Sequence, residues 1–240
     1  MSPVTAQGPV PEAVERGAAL LRPLMAWHRF EVRGMEHVPR SGACLWVAHH
    51  TLATYDGFLL GLRIWQETGR ITRALGDKRI FQVPWLRTRA RRIGIVPASP
   101  DAGEELLRQG ELVGVAPGGM WEALRPSSER YRTRWEERKG FCRLALRTGA
   151  PMMFSASPRG DDLYTVYPSR LTDLAYERLH VPLPLVRGLG PTLVPRPVPL
   201  VAWISPLLRP PPHDPACEEE QVEELHARAS AVMAELLNRR

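Results

Sequence analysis

Apolar positions along this chain follow two rhythms. Short continuous runs, Ala43 to Ala48, Leu112 to Ala116 and Pro151 to Ala156, have the length of strands buried on both faces. Elsewhere apolar residues recur every three or four positions, the spacing of one helix face. The first such stretch, Glu12 to Trp27, puts Val14, Ala18, Leu21 and Met25 on one side, and Pro23 is expected to kink it. It defines an N-terminal amphipathic segment over 11–30, after a loose tail over 1–10. Phe30 to Met35 alternates like a strand, and Pro39-Arg-Ser-Gly42 is a turn. Gly57 to Trp65 reads as a helix and Ile71 to Gly76 as a short strand. Lys78 to Arg92 reads as partly helical and broken at Pro84, and Ile93 to Pro97 as a strand.

The second half is punctuated more clearly. Ser99 is an N-cap followed by proline at the first helical position, and that helix runs to Gln109 and stops at Gly110. Pro117-Gly-Gly119 is a bend after a strand, and Gly149 closes a helix over Gly140 to Thr148. Ser157 to Thr192 is loop-rich, Val198 to Ile204 is the last strand, and the prolines of 209–215 make a stiff connector. A C-terminal helix over 216–238 carries Val222, Leu225, Ala229, Val232 and Leu236 on one stripe. The alternation of strands and helices predicts an α/β fold: a central mixed sheet, mostly parallel in its core, flanked by helices. The expected organisation is one domain over 1–240 with its core at 43–208.

Composition narrows the class. With 240 residues, 44% hydrophobic and 24% charged, the chain reads as globular. The net charge of +6 suits acidic partners such as phosphates or anionic lipid. Thirty of the 32 basic residues are arginine, a skew that fits a GC-rich genome as well as a function, and no nucleic-acid motif appears. Three scattered cysteines argue for a reducing compartment without disulfides. No Cys/His spacing suggests a metal. No secretory signal is evident, and no apolar run is long enough to span a bilayer; Leu193 to Leu208 is interrupted by Arg196 and four prolines.

The candidate chemistry lies where strands end. In open α/β sheets reactive groups gather at the carboxyl ends of strands. His49 and His50 follow Ala43–Ala48 directly, and Asp56 stands at the start of the next helix. A carboxylate there can bond one ring nitrogen, fix the tautomer and leave the other nitrogen to take a proton. The alternative for these residues is two polar loop histidines and an N-cap aspartate. Gly118 and Gly119 follow the strand Leu112–Ala116, so they can converge with His50.

Three blocks occur in order: Val47-Ala-His-His-Thr-Leu-Ala-Thr-Tyr-Asp-Gly57, Gly114-Val-Ala-Pro-Gly-Gly-Met-Trp-Glu-Ala-Leu124 and Lys139-Gly-Phe-Cys-Arg-Leu-Ala-Leu-Arg-Thr-Gly-Ala-Pro151. Together they resemble the lysophospholipid/glycerolipid acyltransferase superfamily, and within it the branch of diacylglycerol acyltransferases and transmembrane-protein-68-like proteins. The resemblance covers about residues 28 to 210. Two departures stand out. Five residues separate His50 from Asp56 where the superfamily has four. Pro117-Gly-Gly-Met-Trp121 stands where phosphate-acceptor enzymes carry Pro-Glu-Gly-Thr-Arg, and Ile95-Val-Pro-Ala-Ser99 lacks an earlier phosphate-clamping arginine. Phosphate monoesters favour bidentate arginine, so the departures favour a neutral hydroxyl acceptor. Arg91, Arg92 or Arg125 is the candidate replacement clamp if the acceptor is lysophosphatidate.

The resemblance implies transfer of a fatty acyl group from acyl-CoA or acyl-carrier protein to a lipid hydroxyl, such as that of diacylglycerol, monoacylglycerol or a fatty alcohol. It implies His50 as base, Asp56 as its support, Gly118 and Gly119 as the oxyanion bend, and Glu122 as orienting the loop or acceptor. Arg91, Arg92 and Lys139 are weaker candidates for donor phosphates. Neither metal nor organic cofactor is expected beyond the thioester co-substrate. The expected setting is cytoplasmic, attached peripherally to the inner face of a membrane through the N-terminal helix and apolar loops near Val181 to Val201. The rivals are a lysophospholipid acyltransferase and a non-catalytic lipid-binding protein on the same scaffold. The sequence lacks the Gly-x-Ser-x-Gly elbow of a serine hydrolase and the third glycine of a dinucleotide site.

Overall fold

A computed structural model describes residues 9–52, 55–169 and 184–239. The expected tail over 1–8 and the loop stretch over 170–183 lie outside the described residues. Seven strands form one sheet: β1 (Glu31–Arg33), β2 (Cys44–Ala48), β3 (Arg73–Gly76), β4 (Val96–Pro97), β5 (Leu112–Val115), β6 (Met152–Ala156) and β9 (Val201–Ile204). Their order is β1-β9-β6-β2-β5-β3-β4. The five strands from β6 to β4 are mutually parallel; β9 pairs antiparallel with β6, and β1 runs parallel to β9. The fold is therefore mixed α/β with a parallel core. The first sheet strand lies before residue 43, because β1 is recruited to the edge by β9.

The three central strands are the three continuous apolar runs. Leu45, Val47, Leu112, Val113, Met152, Met153 and Phe154 have no exposed surface. On one face α4 (Pro100–Arg108), α6 (Gly140–Thr148) and the C-terminal α7 (Glu218–Leu237) cover the sheet. Val222, Leu225, Ala229, Met233 and Leu236 of α7 are buried there, close to the stripe expected from the sequence. The other face holds Cys44, Trp46, Met153 and Ile204 against Leu60 and Ile64 of α2 (Tyr55–Thr68).

Caps behave as the sequence indicates. Ser99 Oγ accepts from the Ala102 N–H at 3.1 Å, and Gly149 ends α6 with φ +65. Other boundaries shift. α1 (Pro11–Trp27) continues through Pro23, and α2 begins two residues earlier than its apolar run. The 93–97 strand shrinks to two residues, because Ile93 caps α3 (Pro84–Arg92) and Gly94 turns with φ +93 against the Thr72 carbonyl. The bend at Pro117 opens into a short helix, α5 (Gly119–Ala123). Within the loop-rich stretch, β7 (Thr165–Tyr167) pairs antiparallel with β8 (Leu185–Arg187).

One polar tie joins α1 to α2. The His28 Nδ1–H donates to the Val198 carbonyl at 2.9 Å, which leaves Nε2 to accept from the Tyr55 hydroxyl at 2.8 Å. The chain after α1 is thereby fastened beside the residue that precedes Asp56. No helix among the described residues is long and apolar enough to cross a membrane.

Candidate active site

The parallel register brings three strand ends together. Val47 is opposite Val115, and Ala48 is opposite Ser155. The segments that follow, His49–Asp56, Pro117–Arg125 and Ser157–Asp162, therefore leave the sheet side by side. The last of these was hidden in the loop-rich stretch; its position after a central strand is the signal that marks it.

The two histidines serve different ends. His49 is buried, and its Nε2 lies 2.7 Å from Nη2 of Arg125. A guanidinium only donates, so Nε2 carries the lone pair and the proton sits on Nδ1, facing the Arg132 carbonyl. Burial first, and Arg125 second, push its pKa down to about 3. His49 is a neutral, internal hydrogen-bond acceptor. His50 turns the other way. Its N–H donates to Glu122 Oε1 at 2.7 Å, and its carbonyl accepts from Arg125 Nη1 at 2.8 Å. Its ring Nδ1–H donates to the Thr51 carbonyl at 3.1 Å, which places the ring's lone pair on Nε2. Burial, more than any neighbour, lowers its pKa.

Asp56 is reached differently from what the spacing suggests. Its Oδ1 accepts from the Thr51 hydroxyl at 2.6 Å, and Gly57 N–H and the Ser157 side chain also bond the carboxylate. Among the described residues the proton on His50 Nδ1 goes to Thr51, so Thr51 stands between ring and carboxylate. Gly160 closes the other side: a Cβ there would come within 2.8 Å of Thr51 Cγ2 and 3.5 Å of Asp56 Oδ2. Burial raises the Asp56 pKa to about 6 against the pull of its hydrogen bonds.

Glu122 has no exposed surface. Its two oxygens accept main-chain N–H groups of His50, at 2.7 Å, and Arg134, at 2.9 Å. Burial raises its pKa, while those two bonds and Arg125 favour the charge. It is a positioning residue for the His50 peptide, and both its oxygens are committed. Gly118 is glycine because Glu122 packs on it: a Cβ would fall 2.3 Å from Oε2 and 2.4 Å from Cβ of Glu122.

Arg125 corrects the sequence reading most clearly. It is 4% exposed and bonds the His50 and Glu122 carbonyls, His49 and Asp161. Both of its Nη atoms are held by protein groups. Asp161 also accepts the N–H of Tyr131, which holds φ +63, a left-handed conformation rare outside glycine. Arg91 and Arg92 do not join the site. They end α3 and lead into the amino end of β4, while the site gathers at the carboxyl ends. The Arg92 carbonyl accepts from Val10 N–H at 2.9 Å. Lys139 is tied to Glu223 of α7 at 2.5 Å.

A substitution tests the packing of the glycine bend. Gly118→Ala is expected to lose about 1–3 kcal/mol of stability from overpacking in urea unfolding. It should also lower turnover more than Gly149→Ala, whose Cβ meets nothing within 4 Å.

Known proteins resemble this chain in sequence and in fold. The family model described as acyltransferase matches residues 29–155. An uncharacterized protein of Mycobacterium tuberculosis is 33% identical over 193 residues, covering 75% of this chain and 53% of its own. The DGAT1/2-independent enzyme synthesizing storage lipids of Homo sapiens is 29% identical over 200 residues, covering 82% of this chain and 58% of its own. The chain thus spans little more than half the length of these curated relatives. Among solved structures, the 1-acyl-sn-glycerophosphate (LPA) acyltransferase PlsC of Thermotoga maritima superposes with a TM-score of 0.54, over 95% of this chain and 80% of that one. At 14% identity, that likeness is one of fold. The stretch matched by the family model holds both the histidine segment and the glycine bend, and on that match the chain belongs to the acyltransferase family.

Proposed function

We propose that the protein transfers a fatty acyl group from a thioester, acyl-CoA or acyl-carrier protein, to the hydroxyl of a neutral lipid such as diacylglycerol, monoacylglycerol or a fatty alcohol. The observation that carries this reading is the tautomer of His50. With Nδ1–H given to Thr51, the basic nitrogen is Nε2, on a residue whose main-chain N–H is bonded to Glu122, the side chain that packs on Gly118. His50 takes the acceptor's proton as its oxygen attacks the thioester carbon. The C–S bond then breaks, and the proton passes from the imidazolium to the leaving thiolate. Asp56 is a positioning residue in this scheme. It fixes Thr51, whose carbonyl fixes the ring, and its charge favours the imidazolium. The bend at Gly118 and Gly119 is read as the place where the carbonyl oxygen rests.

Two features support a neutral acceptor. The arginine expected in the glycine block is absent, and Arg125 is committed to protein groups. Arg134 is likewise held, bonded to Glu129 at 2.6 Å and stacked on Trp121. Such an acceptor resides in a bilayer, so we read the protein as a peripheral membrane enzyme of the cytoplasmic face. The exposed Leu20 and Trp27 of α1, and Leu189, Leu193 and Val194 after β8, are its contact with lipid. The five-residue spacing between His50 and Asp56 favours one second reading, a lipid-binding protein without turnover.

Labelled acyl-CoA and acyl-carrier protein, assayed on anionic vesicles bearing each acceptor in turn, separate these readings. The expected result is flotation with the vesicles, transfer to a neutral hydroxyl and loss of transfer in folded His50→Ala. Lipid binding without turnover, indifferent to His50→Ala, would establish the second reading; preference for lysophosphatidate would overturn the neutral acceptor.

The acid limb of the rate profile has a predicted position. Asp56 is raised, so its carboxylate forms as pH climbs through about 6, and burial lowers His50, so its ring loses its proton below the usual imidazole range. Initial-rate measurements should show kcat/KM falling below about pH 6 and level up to pH 8. The same limb in Asp56→Asn would show that another group sets it.

A further inference from the structure

Arg138 lies in the turn that enters α6. Trp135 anchors that turn: it is 2% exposed and meets Phe141 edge-on, with ring centroids 5.1 Å apart. The Arg138 N–H closes the turn on the Trp135 carbonyl, and Lys139 is held by Glu223. From this base the Arg138 side chain reaches back over the glycine bend. A Cβ added at Gly119 would lie 3.7 Å from its Nη1 and meet nothing else within 4 Å. The neighbouring cations are engaged: Arg125 by Asp161, Arg130 by Asp162, Arg134 by Glu129 and Arg143 by Glu219. Among the described residues no side-chain hydrogen bond or ion pair occupies the Arg138 guanidinium.

We propose that Arg138 is a catalytic residue of the acyl transfer, its guanidinium binding the thioester carbonyl oxygen as that oxygen gains negative charge. The inference rests on the acyl-transfer reading. Two observations and one property of a guanidinium lead to it. The bend is joined to His50 through Glu122, which packs on Gly118 and accepts the His50 N–H, so a cation over Gly119 stands at the reacting end of the site. Gly119 has φ +53 and no side chain, so Arg138 Nη1 is the group that a Cβ there would meet. A guanidinium presents paired N–H donors that suit a localised negative charge. The phosphates of a thioester carrier are a pantetheine arm away from the carbonyl, so a cation at the reacting end meets the carbonyl and not the phosphates. As the acceptor oxygen bonds the carbonyl carbon and its proton moves to His50, the carbonyl π pair shifts to the oxygen held by Arg138. That pair returns when the thiolate leaves.

The test compares wild type, His50→Ala, Arg138→Ala, Arg138→Gln and Arg138→Lys. Each is assayed with acyl-CoA and with the acyl thioester of N-acetylcysteamine, which has no phosphate. The expected result for Arg138→Ala and Arg138→Gln is a kcat about a hundredfold to a thousandfold lower with both donors. KM and melting temperature should stay at wild-type values, and Arg138→Lys should recover part of the rate. A defect in KM for acyl-CoA, absent with the short thioester, would assign Arg138 to a donor phosphate and overturn the inference. A defect seen only with a phosphate-bearing acceptor would do the same, as would unchanged kinetics. Active wild type with inert His50→Ala isolates these outcomes to Arg138; inactive wild type, or active His50→Ala, removes the acyl-transfer reading and this inference with it.

Discussion

A carboxylate sealed from water ties the strand ends together. Glu122 accepts one N–H from the end of the central strand and another from the loop that returns over the site. An isolated buried charge costs several kcal/mol. Here the two bonds and the adjacent Arg125 offset that cost, and Arg125 is in turn balanced by Asp161. The cluster reaches all three strand ends: His49 and His50 after β2, Glu122 and Arg125 after β5, Asp161 after β6. Removing Arg125 would leave Glu122 and Asp161 without the cation they share, so the cluster acts as a unit.

That unit explains why two adjacent histidines behave so differently. One turns inward, accepts from Arg125 and is kept neutral across the physiological range. The other has its peptide clamped on both sides, N–H to Glu122 and C=O to Arg125, so its ring is aimed by main-chain constraints. The threonine that follows receives the ring proton through its carbonyl and gives its hydroxyl to Asp56. His50, Thr51 and Asp56 thus form a chain of three groups in place of a direct pair.

Much of this was legible in the sequence because it depends on local rules. The three apolar runs, the Ser99 cap and the Gly149 stop are set by neighbours in the chain. Strand alternation allowed His50 and the glycine bend to converge, since parallel strands share a carboxyl edge. What escaped depends on long-range contacts. Arg125 reads as a phosphate clamp until its partners at 49, 50 and 161 are seen. Asp161 lies in a polar stretch with no periodicity, and only the sheet order places it. The basic pair Arg138-Lys139 shows the limit best. Sequence reading favoured the lysine, because nothing local reveals that Glu223 occupies it while the arginine beside it bends over Gly119.

The acyl-transfer scheme requires the proton of His50 to sit on Nδ1, with Nε2 basic. Nitrogen-15 NMR of the histidine-labelled protein above pH 7, assigned by the signal lost in His50→Gln, reads this directly. The arrangement predicts a protonated Nδ1 and a bare Nε2 for His50. A proton on Nε2, with Nδ1 bare, would contradict it.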